Sequence, residues 1–265
     1  MPLKIAIIGA GPAGCMLARL LLHKQKDTKK NDKNTSNKND DIDVTIFEGE
    51  PSFDFRAQGG TLDLHTAIGI AALKQAGLYE EFLREARYDG EATVFSDKRR
   101  NAFISIAPAT GERAGGRPEI DCWALRRILL ESLPAERIWW NKRLRAVSRV
   151  AAGTATGTAT AGPVRDDAGD HLQLEFTDGT TQAGFDLIVG ADGAWSKVRS
   201  SLLSTEKPFY AGVGGFSFSI PDAATTAPDS YKLVNRGNFF AYDGWQQKGQ
   251  GRSIMASSWA TAVST

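Results

Sequence analysis

The sequence predicts an α/β fold organised on a parallel sheet, and three features predict it. A branched apolar run, Leu3-Lys4-Ile5-Ala6-Ile7-Ile8, meets the glycine segment Gly9-Ala10-Gly11-Pro12-Ala13-Gly14 and then an apolar helical stretch from Cys15 to Leu22. A second run, Val44-Thr45-Ile46-Phe47, ends on Glu48. A third, Asp186 to Gly190, opens onto Ala191-Asp192-Gly193-Ala194-Trp195-Ser196-Lys197-Val198-Arg199. Short runs of this composition are expected of strands buried in a parallel sheet.

The first element is a strand, a glycine turn and a helix in immediate succession, which is the context a dinucleotide-binding turn requires. Gly9 permits the tight turn, Gly11 lets a pyrophosphate approach the backbone, and Gly14 lets helix and strand pack closely. Pro12 and Ala13 lie between them at the helix start, where unpaired N–H groups and the positive dipole end favour phosphate charge. A turn that binds nothing is the alternative, and the agreement of strand, glycines and helix weighs against it. The pattern also asks for an acidic residue at the end of the second strand, about 20 residues on, to accept from ribose hydroxyls. Glu48 occupies that strand end but comes later in the chain. The excess is His23 to Asp43, almost without apolar residues and dense in Lys, Asn and Asp. Such a stretch buries too little surface to order itself, so residues 24–43 are expected to be a disordered, solvated insertion. Doubling a loop costs only about 0.6 kcal/mol in closure entropy, which the fold tolerates.

Gly59-Gly60 entering Thr61-Leu62-Asp63-Leu64-His65 suggests backbone passing close to a ligand or another strand. Thr66 to Gly77 reads as a helix stopped by Gly77, and Tyr79 to Ala86 as a short helix. Thr93 to Ile106 alternates as strand material, followed by a loop from Ala109 to Pro118. Trp123 to Leu133 is an amphipathic helix with Asp121 as its N-cap. Ile138-Trp139-Trp140 and Arg143 to Val150 are strands, and adjacent tryptophans on a strand face opposite ways, so packing explains them better than a stacking platform. Ala151 to Gly162 is an Ala/Thr/Gly repeat expected at a flexible hairpin tip. His171 to Phe176 alternates as a strand, Asp178-Gly179 marks a turn, and Asp186 to Gly190 is the buried strand before the second motif. From Phe209 onward aromatics, glycines and serines alternate in short segments, as in a β-rich module, with another strand opening at Ser253.

Composition narrows the function. The chain has 265 residues and a net charge of +1, so nothing electrostatic points to nucleic acid. Cys15 and Cys122 are the only cysteines, which supports neither a disulfide scaffold nor a metal cluster. Cys15 lies in the first turn of the helix, where a thiol pKa falls if the site is open, but a small packing group is the commoner role. No run has the length of a membrane span and no signal peptide precedes the first strand, so a soluble, cytoplasmic protein is expected. No Ser-His-Asp set, metal-ligand spacing or carboxylate pair points to hydrolysis. Of the three histidines, only His65 falls near an expected pocket, and a surface or packing role accounts for it more simply.

Gly9–Gly14, Glu48, Gly59–His65, the helix Leu125-Arg126-Arg127-Ile128-Leu129-Leu130 and Asp186–Arg199 occur in one order that resembles the class A flavoprotein monooxygenases of the para-hydroxybenzoate hydroxylase type. Gly59 to His65 looks most like the tetracycline-inactivating members. The resemblance covers nearly the whole chain and is strong through Leu203. It implies a Rossmann-like FAD-binding domain of the glutathione-reductase type, a parallel sheet plus a β-meander, over residues 1–92 and 118–205. An incomplete β-rich substrate module would comprise 93–117 and 206–265. Gly9, Gly11, Pro12, Ala13, Gly14 and Glu48 would hold the ADP half of FAD. Arg56 and Asp63 match positions close to the flavin, Arg126 an arginine reaching the cofactor, and Asp192 and Gly193 a motif serving both FAD and NAD(P)H. The implied enzyme takes electrons from NADPH or NADH, captures O2 and hydroxylates a small aromatic or polycyclic molecule through a flavin C4a-hydroperoxide, as a monomer that needs no metal, nucleic acid or membrane. No individual catalytic residue is implied.

Two departures stand out. A further arginine usual one turn before Arg126 is here Cys122, and losing one charge-assisted hydrogen bond, roughly 1.5–3 kcal/mol, would weaken FAD about tenfold to a hundredfold. No Gly-Asp dipeptide follows Asp192, although the family carries one before a helix that closes over the flavin. The expectation is therefore a C-terminally truncated monooxygenase. The rivals are a related FAD reductase or oxidase, and an inactive remnant that binds nucleotide weakly. A simple NAD-dependent dehydrogenase is disfavoured, because the second motif has no role in one.

Overall fold

The computed structural model describes residues 2–31, 42–55, 60–88, 92–107, 118–150, 171–234, 237–243 and 251–257. The chain forms two compact units. The first comprises 1–57, 75–78 and 126–209, and the second 58–74, 79–125 and 210–265. The loop expected after Ala109 and the hairpin tip expected at Ala151–Gly162 lie outside the described residues, apart from Pro118.

The first unit is built on parallel strands β1 (Leu3–Ile8), β2 (Ile42–Phe47), β7 (Ile138–Trp139) and β11 (Leu187–Gly190), in the order β11-β1-β2-β7. Ile5 pairs with Val44 on one side and Leu187 on the other, so β1 lies between neighbours and is buried along most of its length. This explains why its sequence is continuously apolar rather than alternating. Helix α1 (Pro12–Asn31) follows the glycine turn. Arg19 anchors it by donating from Nε to the Ala76 carbonyl at 2.9 Å and from Nη1 to the Ser132 carbonyl at 3.2 Å. An antiparallel meander, β8 (Leu144–Val150), β9 (His171–Phe176) and β10 (Thr181–Ala183), completes the unit. Phe47, Val147, Leu174, Phe176 and Val198 close a core between sheet and meander.

The polar stretch after Leu22 departs from expectation. The helix continues through Asn31, and β2 already begins at Ile42. No glycine or proline interrupts Cys15 to Asn31, and Lys and Gln are good helix formers, so propagation from a packed helix outweighs the lack of apolar groups. Residues 32–41 of that stretch lie outside the described residues.

In the second unit a sheet of order β13-β12-β4-β5 joins β4 (Thr93–Asp97), β5 (Ala102–Ile106), β12 (Asn238–Asp243) and β13 (Arg252–Ser257). A two-stranded ribbon pairs β3 (Thr61–Asp63) with β6 (Glu119–Asp121). Beside the ribbon lie a wide helical turn over Thr66–Ile70, then α2 (Ala71–Gln75) and α3 (Tyr79–Glu85). Gly77 follows α2 at φ +67, as its stop position requires. Arg87 reaches the Asp121 carboxylate at 2.7 Å and that of Glu119 at 3.8 Å, and Asn238 donates to Glu119 at 2.6 Å. Burial pushes the Glu119 carboxyl above its ordinary range. Asp121, expected as an N-cap, is the last residue of β6, directly before α4 (Cys122–Glu131).

The segment after Phe209 is less uniformly β than expected. Helical turns α6 (Ala223–Thr226) and α7 (Pro228–Val234) precede β12, with Pro228 at a first helical position that needs no N–H donor. The short α5 (Lys197–Leu202) belongs to the first unit.

Candidate functional site

Three loops of the first unit meet at the carboxyl ends of its parallel strands, where ligands bind in open α/β sheets. They follow β1, β2 and β11 and carry Gly9–Gly14, Glu48–Glu50 and Ala191–Ser196. The turn after β1 and the loop after β11 meet tightly. Gly9 takes φ +108, and a Cβ there would lie 2.5 Å from the Ala191 carbonyl oxygen. Its N–H donates to the Phe47 carbonyl at 2.8 Å, while the Ala191 N–H donates to the Ile8 carbonyl at 2.8 Å. A Cβ on Gly14 would stand 2.1 Å from the Gly9 carbonyl oxygen. A Cβ on Gly11 would meet nothing within 4 Å. The outer two glycines are thus demanded by the fold, whereas Gly11 borders open space. The Gly11 carbonyl accepts the first helical bond, from Cys15 at 3.0 Å, and Pro12 and Ala13 form the opening of α1.

Glu48 turns back over this loop. One carboxylate oxygen accepts from the Ala10 N–H at 2.6 Å, and the other from the Glu50 N–H at 2.9 Å. Arg126 projects from α4 into the same place and is only 2% exposed. Its Nε donates to the Ala10 carbonyl at 3.1 Å, its Nη1 to Glu50 at 2.9 Å, and its Nη2 lies 4.0 Å from Glu48. The rings of Phe53 and Trp140 flank the guanidinium at 5.7 and 5.9 Å. Glu50 is the residue that the sequence reading missed. Nothing in a local pattern distinguishes it from a surface glutamate, and only its burial and its partner on α4 reveal it.

Cys15 is fully buried, with Sγ 3.4 Å from the Ala10 carbonyl. Burial pushes its thiol up to about 12, against a smaller lowering by Arg126. It is a packing group, not an activated thiol.

In the third loop, Asp192 accepts from the Lys197 and Val198 N–H groups at 2.6 and 3.4 Å through one oxygen, opening α5. Its other oxygen is buried without a protein partner. Ser196 caps α5 by accepting from the Arg199 N–H at 3.0 Å, and Arg199 ties back to the Ala194 carbonyl at 2.6 Å. Gly193 stands at φ +77 with open space around it.

Gly9, Gly11, Pro12, Ala13, Gly14, Glu48, Arg126, Asp192 and Gly193 are thus all carried by the first unit. Asp63 belongs to the second, on β3 beside Glu119, and His65 is an exposed residue of the same unit. Arg56 lies outside the described residues. Among the described residues no cluster of His, Cys, Asp or Glu could hold a metal ion, and no helix is long and apolar enough to cross a membrane.

Comparison with known proteins supplies the remaining findings. The sequence profile of the FAD binding domain family matches residues 3–263. Monooxygenase asqM of Emericella nidulans is 33% identical over 245 residues, covering 89% of this chain and 48% of that protein. The structure of 2,6-dihydroxypyridine-3-hydroxylase from Arthrobacter nicotinovorans shares the fold at 19% identity with a TM-score of 0.59, over 96% of this chain and 56% of that one. Tetracycline destructase Tet(55) shares it at 21% identity with a TM-score of 0.50, over 77% and 41%. The chain spans about half the length of the curated relatives it matches.

Proposed function

The chain belongs to the FAD binding domain family of class A flavin monooxygenases, and from that membership we propose that it holds FAD for the NAD(P)H-driven hydroxylation of a small aromatic or polycyclic molecule. The observation that carries the reading is the meeting of the three loops. The Gly9 turn abuts Ala191 so closely that no side chain fits, and Glu48 closes over Ala10. The residues present suit FAD. Gly11 leaves space for a pyrophosphate against the opening of α1, whose first turn holds no acidic residue to compete with it. Glu48 keeps acceptor capacity for ribose hydroxyls beyond its two backbone donors. The partnerless oxygen of Asp192 provides an acceptor for a hydroxyl of the chain linking phosphate to ring.

FAD, when bound and reduced by NADPH or NADH, supplies the activation of O2. The chain's own residues bind and orient: Gly9, Gly11, Pro12, Ala13 and Gly14 shape the phosphate cradle, Glu48 fixes the ribose, and Asp192 with Gly193 forms the opposite wall. Alanine at Glu48 removes both the ribose acceptor and the bond to the Ala10 N–H.

The test is uptake of FAD by the purified chain, read as flavin absorbance and fluorescence quenching at one equivalent, followed by NADPH oxidation with substrate candidates under labelled O2. Bound flavin with labelled oxygen in a product supports the monooxygenase. Bound flavin with hydrogen peroxide and no labelled product replaces it with an oxidase or reductase. Failure to bind FAD overturns the reading for this chain.

A further inference from the structure

We infer that Glu50 and Arg126 are positioning residues: they hold the Ala10 peptide so that the Gly11 N–H points at the incoming phosphate, and they do this without touching the bound molecule. The inference rests on the FAD reading and deepens it, because the resemblance alone implies an Arg126 that contacts the cofactor.

The Ala10 residue is gripped at both of its backbone polar groups. Glu48 accepts from its N–H at 2.6 Å, and its carbonyl accepts from Arg126 Nε at 3.1 Å and lies 3.4 Å from Cys15 Sγ. That carbonyl belongs to the peptide joining Ala10 to Gly11. In a planar trans peptide the C=O and N–H point in opposite directions. Fixing the carbonyl inward on Arg126 therefore turns the Gly11 N–H outward, on a residue whose side-chain position is open space. Arg126 in turn needs an anchor, and Glu50 supplies it at 2.9 Å. Arg126 is 2% and Glu50 6% exposed, so neither lies at a surface a ligand sweeps. With Glu48 also 4.0 Å away, two carboxylates face one guanidinium, and the cation has little field left for a phosphate. A buried ion pair is costly to desolvate; here it fixes the direction of a single donor.

FAD titration of the full chain, with Glu50→Gln, Arg126→Lys and the double variant, decides between positioning and contact. Positioning predicts that each single change weakens FAD at least tenfold. The double change weakens it no more than the stronger single one, because both act through one device. It also predicts a shifted 13C resonance of the Ala10 carbonyl in both single variants without any FAD, measured by NMR, because that carbonyl is the group Arg126 holds. Glu50→Gln with wild-type affinity, beside a weakened Arg126→Lys, overturns the inference and makes Arg126 a contact. Should the wild-type chain take up no FAD, the FAD reading fails instead, and the Ala10 carbonyl resonance alone decides the clamp: an unchanged resonance in Glu50→Gln overturns it. If Glu50→Gln does not fold, Glu50→Asp keeps the charge with a shorter reach. An intermediate loss of affinity then supports the clamp and wild-type affinity refutes it.

Discussion

Gly9 and Gly11 sit two positions apart, yet substitution at each would fail for a different reason. Alanine at Gly9 would set a Cβ 2.5 Å from a backbone oxygen, at φ +108. Backbone cannot yield there as a flexible side chain can, so Gly9→Ala is expected to destabilise the chain by at least about 2 kcal/mol, read as a Tm lower by several degrees. Alanine at Gly11 meets nothing. Gly11→Ala should melt with the wild type and still lose FAD at least tenfold, because its methyl fills the space proposed for the pyrophosphate. Cys15 tests the interior of the same loop. Its thiol is held near 12 by burial, against an ordinary value of 9.0. Above about pH 9 the unfolded chain releases this proton while the native chain keeps it until about 12, so stability falls with rising pH across that window. Urea midpoints of Cys15→Ala should show a shallower fall than wild type over the same range, and Cys15 should resist thiol reagents at neutral pH until the chain unfolds.

At the scale of elements, the hairpin between β9 and β10 depends on one turn. Asp178 accepts from the Thr180 N–H at 3.0 Å and meets Lys142 at 2.6 Å. The Lys142 hydrogen bond, then those from Thr180, lower its carboxyl from 3.8 to about 2. The native chain therefore stays ionised while the unfolded chain protonates, and this contribution is full above about pH 4 and lost as pH falls to about 2. Asp178→Asn should lower the denaturation midpoint at neutral pH and change little near pH 2. In the second unit, Arg87 ties α3's end to the β3–β6 ribbon through Glu119 and Asp121. Arg87→Met leaves two carboxylates against buried surroundings, a loss of about 3–5 kcal/mol in urea denaturation. Because burial already raises the Glu119 carboxyl, that loss should shrink as pH is lowered and the carboxyl takes up its proton, earlier than an ordinary glutamate would.

At the scale of the whole molecule, a closed core stands beside a run of exposed apolar groups. The first unit closes a core around Phe47, Leu174 and Phe176. The second carries Phe209's successors Tyr210, Val213, Phe216 and Phe218, each at least 78% exposed. The chain should accordingly bind the dye ANS while folded, and Phe216→Ser with Phe218→Ser should reduce that fluorescence without changing FAD affinity, since the proposed cradle belongs to the first unit.

How much of this was legible in advance followed from how local the determinants are. Leu3–Ile8, Val44–Phe47 and Leu187–Gly190 announce buried strands by composition alone, and the glycines between β1 and α1 announce a turn, because tight geometry admits few residues. The helix through Asn31 and the turns at Ala223–Val234 went unread: weak propensities there were resolved by what lies next to them. By itself, then, the sequence determined the parallel sheet, its glycine turn and the acidic end of β2, since each is a matter of backbone sterics and hydrophobic burial among near neighbours. Only the tertiary structure decided what Arg126 does. Its partners Ala10 and Glu50 lie 116 and 76 positions away along the chain, and a buried charge takes its role from whatever folding places beside it.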